Sequence, residues 1–537
     1  MTLRGLILTA EYVPNGNGQE SIPMSDCQSN APVVACPPTV DELQRRTHER
    51  LDEIIAYCVH DQRPASFLEF ETVLLGLLRS LGCLLIQLFL HVHHDRLDSA
   101  VWRARGYRIA DPAAKRMLKT SCGPVAYVRA FFVPRHGGGP GVHPLDVVLG
   151  LTRDAYSPLV IGWFCRLATR MSFKVASELG GMFLGAAPPA SAIEEWALGL
   201  ARPAYVYLSE GPLPKGDGDV LVIEVDGKAA PTATEQELAR RRGPRSRHER
   251  GCNCQRHRGR AKRGRRGRKA RRKKGDKSKN GRSATLVAMY TLRRGEDGRL
   301  HGPVNKKVFG TFGSRKSALE WARAQATRRG FPPGTAKAVQ IVVDGETCLE
   351  QRLRRLFRGA TLTLDVRHAQ EKLWEVGRLF HREGSAELTR WVEGLEELLY
   401  KGHVRALLQR LEQEMRRISP RGPGTKEKRG ALRRVIGYLE ARVKLMDYGR
   451  LRKEDLVIAS GVVEGAARYV VGERLDNSGM RWIEERAEAV LLLRCIEVNG
   501  DWEAFMKWSQ EQRNQELERG QVVQIRSKTP TQLPEAA

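Results

Sequence analysis

Two apolar runs are each closed by an acid and a glycine: Leu221-Val222-Ile223-Glu224-Val225 before Asp226-Gly227, and Val339-Gln340-Ile341-Val342-Val343 before Asp344-Gly345. Short apolar runs bounded by turn residues read as buried strands. Around them the pattern predicts strands over 220–225, 284–292, 306–312, 338–343 and 360–365. It predicts helices over 315–329, after Ser314 as cap, and over 347–357. The order is β-β-β-α-β-α-β. Three sequential strands form a meander, and the later β-α-β unit adds parallel strands. That is the order of an RNase H-like core, a mixed α/β fold. Residues 369 to about 453 repeat apolar positions every three or four residues (Leu395, Leu398, Leu399; Leu407, Leu408, Leu411) and read as a helical insertion. Helices from about Val463 to Arg474 and from Glu484 to Val498 complete the core.

The first 38 residues show no periodicity and read as a mobile tail, as does the segment after Gln521. From Val40 to about Asp98 the pattern is helical, opened by Thr39 as cap with Asp41 and Glu42 in the first turn. The stretch 73–92 is apolar but interrupted by Arg79 and Gln87, so it reads as a buried or amphipathic helix and not a membrane span. Leu3 to Ala10 is too short for a signal peptide. Val125 to Val133 reads as a strand. Helices are expected over 158–168 (Ser157 cap, Pro158 at the first position), over 173–182 (Ser172 cap), and over 192–200 (capping box Ser191/Glu194). Short helices joined by a tight turn fit either a DNA-reading helix-turn-helix or a plain helical hairpin that packs the core. The expected organisation is therefore a tail (1–38), a mainly helical N-terminal region (39–135), a helix-turn-helix-like DNA-binding region (144–205), an RNase H-like catalytic domain (216–500) and a second tail (521–537). The catalytic domain would carry a basic insertion at 239–283 and a helical one at 369–455.

Charge changes the picture. The chain has 537 residues and a formal net charge of +28. Arg240 to Arg282 holds 22 Lys+Arg against Glu249 and Asp276 alone. Such a segment is too polar for a core and neutralises phosphates with little sequence preference. Arg263, Arg265, Arg266, Lys273, Lys274, Lys277 and Lys279 are its candidate DNA contacts. His248, Cys252, Cys254 and His257 form a weak candidate zinc set in the same tract. The ten cysteines show no framework spacing, which fits a reducing interior.

Asp226 and Asp344 end two strands that lie side by side in this fold order. Gly461-Val462-Val463-Glu464-Gly465 puts a third acid near the start of a helix. Three such carboxylates are the donors that Mg²⁺ or Mn²⁺ takes, and two ions can serve an in-line displacement at phosphorus. An Asp-Gly after a strand is also an ordinary turn. Asp365, closing the last strand, is a rival for the middle acid. His368 either orients an acid or contacts DNA, unless Asp365 and His368 are simply a helix cap and a packed ring.

These residues also carry a resemblance. Asp226-Gly227, Val343-Asp344-Gly345-Glu346, Leu364-Asp365-Val366-Arg367-His368 and Ser460 to Ala466 resemble motifs of the DDE transposases of the ISKra4 family of bacterial insertion sequences. So do Gly275 to Gly281 and Arg474 to Trp482. The likeness spans roughly 144–498. It implies an RNase H-like catalytic core with a helical insertion, and Asp226, Asp344 and Glu464 as catalytic metal ligands. Asp365 and His368 resemble the auxiliary D-x-x-H of Mutator-like enzymes. Cys348 and Leu349 stand where the family would lead one to expect aromatic residues.

The expectation is a transposase that cleaves and joins DNA at terminal inverted repeats and a target, with Mg²⁺ or Mn²⁺. It would act as a homo-oligomer, without membrane contact, in the cytoplasm near the nucleoid. The alternatives are a non-enzymatic basic nucleic-acid binder and an RNase H-like nuclease without joining activity.

Overall fold

The computed structural model describes residues 38–59, 66–136, 141–184, 187–235, 281–334, 338–476 and 480–518. The chain opens with α1 (Val40–Val59) and α2 (Phe67–Asp95), packed side by side with Tyr57 stacked on Phe70. Thr39 caps α1 through the Glu42 N–H, as its sequence suggests. Of the two expected forms of α2, buried or amphipathic, the structure does not give the first: only Leu90 and His91 are buried. Gln87 donates to the Ala126 carbonyl at 2.7 Å and Arg79 to the Phe183 carbonyl, so both polar interruptions dock the helix on protein. Among the described residues α2 is also the one helix long and apolar enough to cross a membrane, by length and composition alone.

After α3 (Ser99–Ala104), strands β1 (Tyr107–Lys119) and β2 (Pro124–Pro134) form an antiparallel ribbon. The N-terminal region is thus not helical throughout. Only β2 is legible in sequence, because two register shifts at Ile109/Asp111/Ala114 break the alternation of β1. α4 (Pro144–Val148) ties to the ribbon through Asp146, which accepts from Tyr127 and Arg116 at 3.0 Å each and pairs with Arg129.

Four helices follow: α5 (Pro158–Arg170), α6 (Phe173–Leu184), α7 (Ala190–Gly199) and α8 (Ala201–Glu210). Ser157 and Ser172 accept N–H bonds at the starts of α5 and α6. The Ser191 capping box does not form. Pro189 is the N-cap and Ser191 already lies inside α7, because Pro188-Pro189 sets an extended entry that starts the helix two residues early.

The central sheet contains β3 (Val220–Ala230), β4 (Arg282–Arg294), β5 (Leu300–Thr311), β6 (Ala338–Val343) and β7 (Thr361–Leu364), in spatial order β5-β4-β3-β6-β7. β3–β4 and β4–β5 are antiparallel, whereas β3–β6 and β6–β7 are parallel. α9 (Arg315–Arg328) leads to β6, and α10 (Thr347–Leu356) to β7. Strand order and helix placement follow the sequence pattern closely, and β6 has the expected bounds. The helical insertion comprises α11 (Val366–Phe380), α12 (Ala386–Tyr400), α13 (Val404–Arg417), α14 (Thr425–Glu440) and α15 (Tyr448–Lys453).

The chain then returns to the sheet with α16 (Gly461–Ala466), which runs on as a π-helical stretch, Ala467–Asp476. α17 (Glu484–Val498) and α18 (Trp502–Glu518) finish the described chain. One hydrophobic cluster runs from Tyr156 through the sheet and the insertion to Phe505, so α5–α8 share a core with the sheet. Glu194 on α7 pairs with Arg486 of α17 at 2.9 Å.

Arg474 fastens the π-helical stretch to this core. Its side chain is buried, donates Nε–H to the Ala168 carbonyl at 2.7 Å and lies over the rings of Phe173 and Trp482. Burial lowers its pKa to about 10, so it stays charged at neutral pH. Arg474→Ala removes a charged hydrogen bond and two ring contacts. The expected loss is about 3 kcal/mol, seen as a lower thermal midpoint. Lys should not restore it, since an ammonium cannot lie flat between two rings.

Candidate active site

Asp226 lies within β3, which extends five residues past the expected strand end. Glu224 pairs with Val342 in the parallel register of β3 and β6, so two residues on, Asp226 comes level with Asp344 just beyond β6. Burial pushes the Asp226 carboxyl above the usual aspartate range and the charge of Asp344 pushes the same way; the Gly227 N–H and His368 oppose them. Each acid spends one oxygen locally: Asp226 Oδ1 accepts the Gly227 N–H at 2.6 Å, and Asp344 Oδ1 the Glu346 N–H at 2.9 Å.

The turn after Asp344 is held by the helical insertion. Gly345 has φ +85°, and a Cβ there would come within 2.4 Å of Tyr438 Oη. Tyr438 donates to the Asp344 carbonyl at 3.2 Å. Arg442 donates Nε–H to the Gly345 carbonyl at 2.8 Å and lies over the Tyr438 ring. The glycine is therefore required twice, by its backbone angle and by the closeness of the clamp.

Asp365 is fully buried and N-caps α11, accepting the Arg367 N–H at 2.9 Å. Its other oxygen accepts from Ser460 Oγ, which lies 3.4 Å from Glu464 Oε1. Glu464 Oε2 pairs with Arg367 at 3.0 Å. His368 is partly exposed, with Nδ1 3.5 Å from Glu371, and lies close enough to act electrostatically on Asp226. Asp226 and Asp344 are thus brought together, and Glu464 is joined to Asp365 through Ser460. Among the described residues no three His, Cys, Asp or Glu side chains form a group able to hold a metal ion. The basic tract, with Arg263, Arg265, Arg266, Lys273, Lys274, Lys277 and Lys279, and the His248/Cys252/Cys254/His257 set lie outside the described residues.

Sequence reasoning missed the residue that links the two halves. Glu224, fully buried in β3, accepts from Tyr290 Oη at 2.7 Å and from the Val463 N–H at 2.8 Å. It therefore caps α16 from the neighbouring strand and sets the start of the helix that carries Glu464. A charged residue inside an apolar run was the available signal, because such residues are rarely buried unpaired. Gln340 of β6 does a similar job. It exchanges hydrogen bonds with the Val457 backbone at 2.6 and 3.0 Å, fixing the segment that leads to Ser460.

Burial, aided by the charge of Asp365, raises the Glu224 pKa above the usual glutamate range, against the pull of Tyr290 and the Val463 N–H. A raised folded-state value means the stability linked to this group is complete below the unfolded pKa and is lost as pH rises through the folded one. Glu224→Gln should flatten that part of the stability–pH profile and gain thermal midpoint at pH 7 relative to pH 4. Glu224→Val leaves two buried donors without an acceptor and should cost roughly 2–4 kcal/mol. Thermal melts of both variants from pH 4 to pH 8 check this.

No protein-family model and no curated protein matches this chain.

Proposed function

We propose that this protein is a DDE-type transposase built on an RNase H-like core, cleaving and joining DNA with Asp226, Asp344 and Glu464 as its acids. The observation that carries the reading is the level placement of Asp226 and Asp344 on adjoining parallel strands, with the Glu464 helix capped by Glu224 of the same strand. The strand order β5-β4-β3-β6-β7 supports the RNase H-like assignment, and the motif resemblance supports the family.

The donor chemistry fits a hard divalent cation. Asp226 and Asp344 offer adjacent carboxylates with one oxygen each unspent by local bonds among the described residues. Asp226, Asp344 and Glu464 do not stand as one ligand group among the described residues, so in this reading Glu464 would leave Arg367 to join the two aspartates around Mg²⁺ or Mn²⁺, which when bound would activate an attacking oxygen and stabilise a leaving one. The chain's own contribution is placement. Tyr438 and Arg442 fix the Asp344 turn, Glu224 fixes α16, and Ser460 stands between Asp365 and Glu464. Rigid placement of reacting groups supplies much of the rate in phosphoryl chemistry. Asp365 and His368 take auxiliary roles, steadying Ser460 and facing Asp226.

DNA affinity is assigned mainly to the basic tract. α7, the helix that would read bases, contains no Lys or Arg and turns Ile193, Trp196 and Ala197 into the core. It therefore acts as a packing helix in this reading. Deleting 240–280 should weaken binding to element ends and flatten its salt dependence while the fold persists; an unchanged salt slope in gel shifts would remove the tract from the interface.

The decisive variant is Asp344→Asn, assayed by gel shift and by cleavage and strand transfer on labelled terminal repeats with Mg²⁺ or Mn²⁺. Cleavage should fall by about a hundredfold or more, the scale for losing a preorganised charge at the reacting centre, with binding nearly unchanged. Near wild-type cleavage would transfer the role to Asp365, whose Asn variant should then be inactive. Hydrolysis without joined products in the wild type would favour a nuclease, and binding with no cleavage a non-enzymatic binder.

A further inference from the structure

A polar hollow of about 380 Å³ lies between the start of β4, the first turn of α9 and the first turns of α10. Ser283, Thr285, Gly313, Arg315, Glu346 and Arg352 line it. It adjoins both aspartates. Thr285 is the register partner of Gly227, the residue after Asp226, and the Glu346 N–H is the one that Asp344 Oδ1 accepts. Ser283 and Thr285 flank the buried Ala284, so their side chains share one face of β4. Thr285 is only 6% exposed, yet its hydroxyl has no hydrogen bond among the described residues. Its register partner on β5, Thr311, is satisfied: it donates to Glu488 at 2.7 Å and accepts the Gly313 N–H at 2.9 Å. A buried hydroxyl without a partner is costly, and this one borders the hollow. Gly227 is not left-handed, so its backbone does not demand a glycine. A Cβ there would lie 3.3 Å from Ser283 Oγ, and its absence keeps that hydroxyl clear.

We propose that this hollow holds a phosphate of the nucleic-acid strand other than the one the acids act on. The lining chooses the ligand. It offers two hydroxyls, two guanidiniums and the first N–H groups of α10, whose N-cap Glu346 makes no side-chain cap. A helix N-terminus and arginine side chains both favour an anion. Glu346, the carboxylate in the lining, is held by Arg315 in a pair whose side chains are 45% and 37% exposed, and such a pair is easily loosened. Arg352 is exposed and has no acidic partner among the described residues. Two guanidiniums repel a metal ion, and an apolar ligand would leave the hydroxyls unsatisfied. The tetrahedral oxygens of a phosphate suit donors that converge from three elements. The segment with 22 Lys+Arg ends at Arg282, the residue before Ser283, which places a strand drawn by that charge at the hollow. The site rests on the nucleic-acid reading of the function and not on which acids do the chemistry.

The test is fluorescence anisotropy of the full-length protein with a labelled mixed-sequence DNA duplex in EDTA, from roughly 50 to 300 mM NaCl. Arg352→Ala should weaken binding about tenfold and lower the salt slope by about one, as expected for one lost phosphate contact. Thr285→Val keeps the volume and drops the hydroxyl. It should weaken binding about threefold to tenfold with the slope unchanged, because no charge is lost. Arg323→Ala, at an exposed position of α9 outside the hollow, loses the same charge and should stay within about twofold. If Thr285→Val does not fold by circular dichroism, Ser283→Ala, at a partly exposed position, takes its place with the same expectation. Wild-type binding by both Arg352→Ala and the hydroxyl variant overturns the site and leaves the functional reading intact. A loss with Arg352→Ala alone, or an equal loss with Arg323→Ala, marks a general surface charge and also overturns it. A wild type that does not bind the duplex overturns the functional reading and the site with it. Millimolar adenosine monophosphate is the second probe. If it raises the thermal midpoint of the wild type but not of the hydroxyl variant, and the two bind the duplex alike, the hollow takes a free phosphate monoester and the strand assignment is overturned.

Discussion

The parallel pairing of β3 with β6 is the constraint from which the rest follows. Residues 220–225 of β3 are all buried, with β4 on one edge and β6 on the other. Strands buried on both faces must be covered on both. One face is closed by the large cluster that includes α9 and α17. The other is closed by a smaller one, Val220, Val222, Tyr290, Leu292 and Val342, against which Val457 and Val462 pack. Glu224 sits on that second face. Its carboxylate would be costly in an apolar layer, yet two donors meet it, and one of them is the α16 backbone. Burial of one acid thus determines where a second acid, Glu464, begins its helix.

The helical insertion is part of this arrangement and not an appendage. Its α14 and the residue turn after it supply Tyr438 and Arg442 to the Asp344–Gly345 turn. Tyr448 of α15 donates to the Leu364 carbonyl at 2.9 Å, holding the end of β7 just before Asp365. Both strand-end turns that carry acids are therefore braced by the same eighty-odd residues of helix. A left-handed glycine closed in by a tyrosine and an arginine leaves Asp344 little backbone freedom, which is the condition for a preorganised site.

The strands were legible because they are short, apolar and punctuated, and parallel sheets show this most clearly. β1 was not, because Asp111-Pro112-Ala113-Ala114 interrupts alternation and the ribbon bulges there. The continuation of α16 as a π-helix was invisible, since the residues read only as more helix; in it Val470, Val471, Arg474 and Leu475 are buried. Asp226, Asp344 and Glu464 could be singled out by position. Glu224 left a signal as a charge inside an apolar run, but its role and those of Ser460, Tyr438 and Arg442 could not be read, because these partners lie 94 to 239 residues away in sequence and single-sequence patterns carry no such distances.

The hydrogen bonds also separate the candidate acids by what each would give up to take a new partner. Asp365 is fully buried and engaged at both oxygens, by the Arg367 N–H that starts α11 and by Ser460. Drawing it into a ligand set would uncap a helix and strand a buried hydroxyl, a loss of about 1–3 kcal/mol for each unsatisfied group. Glu464 pairs with Arg367 at the surface, where the side chains are 38% and 62% exposed. Such a pair contributes about 1 kcal/mol or less, so Glu464 can turn away at little cost. Asp344 has one oxygen in its own turn and the other with no hydrogen bond among the described residues. By this measure Asp344 and Glu464 give up least on taking a new partner and Asp365 gives up most, since it holds both the start of α11 and Ser460.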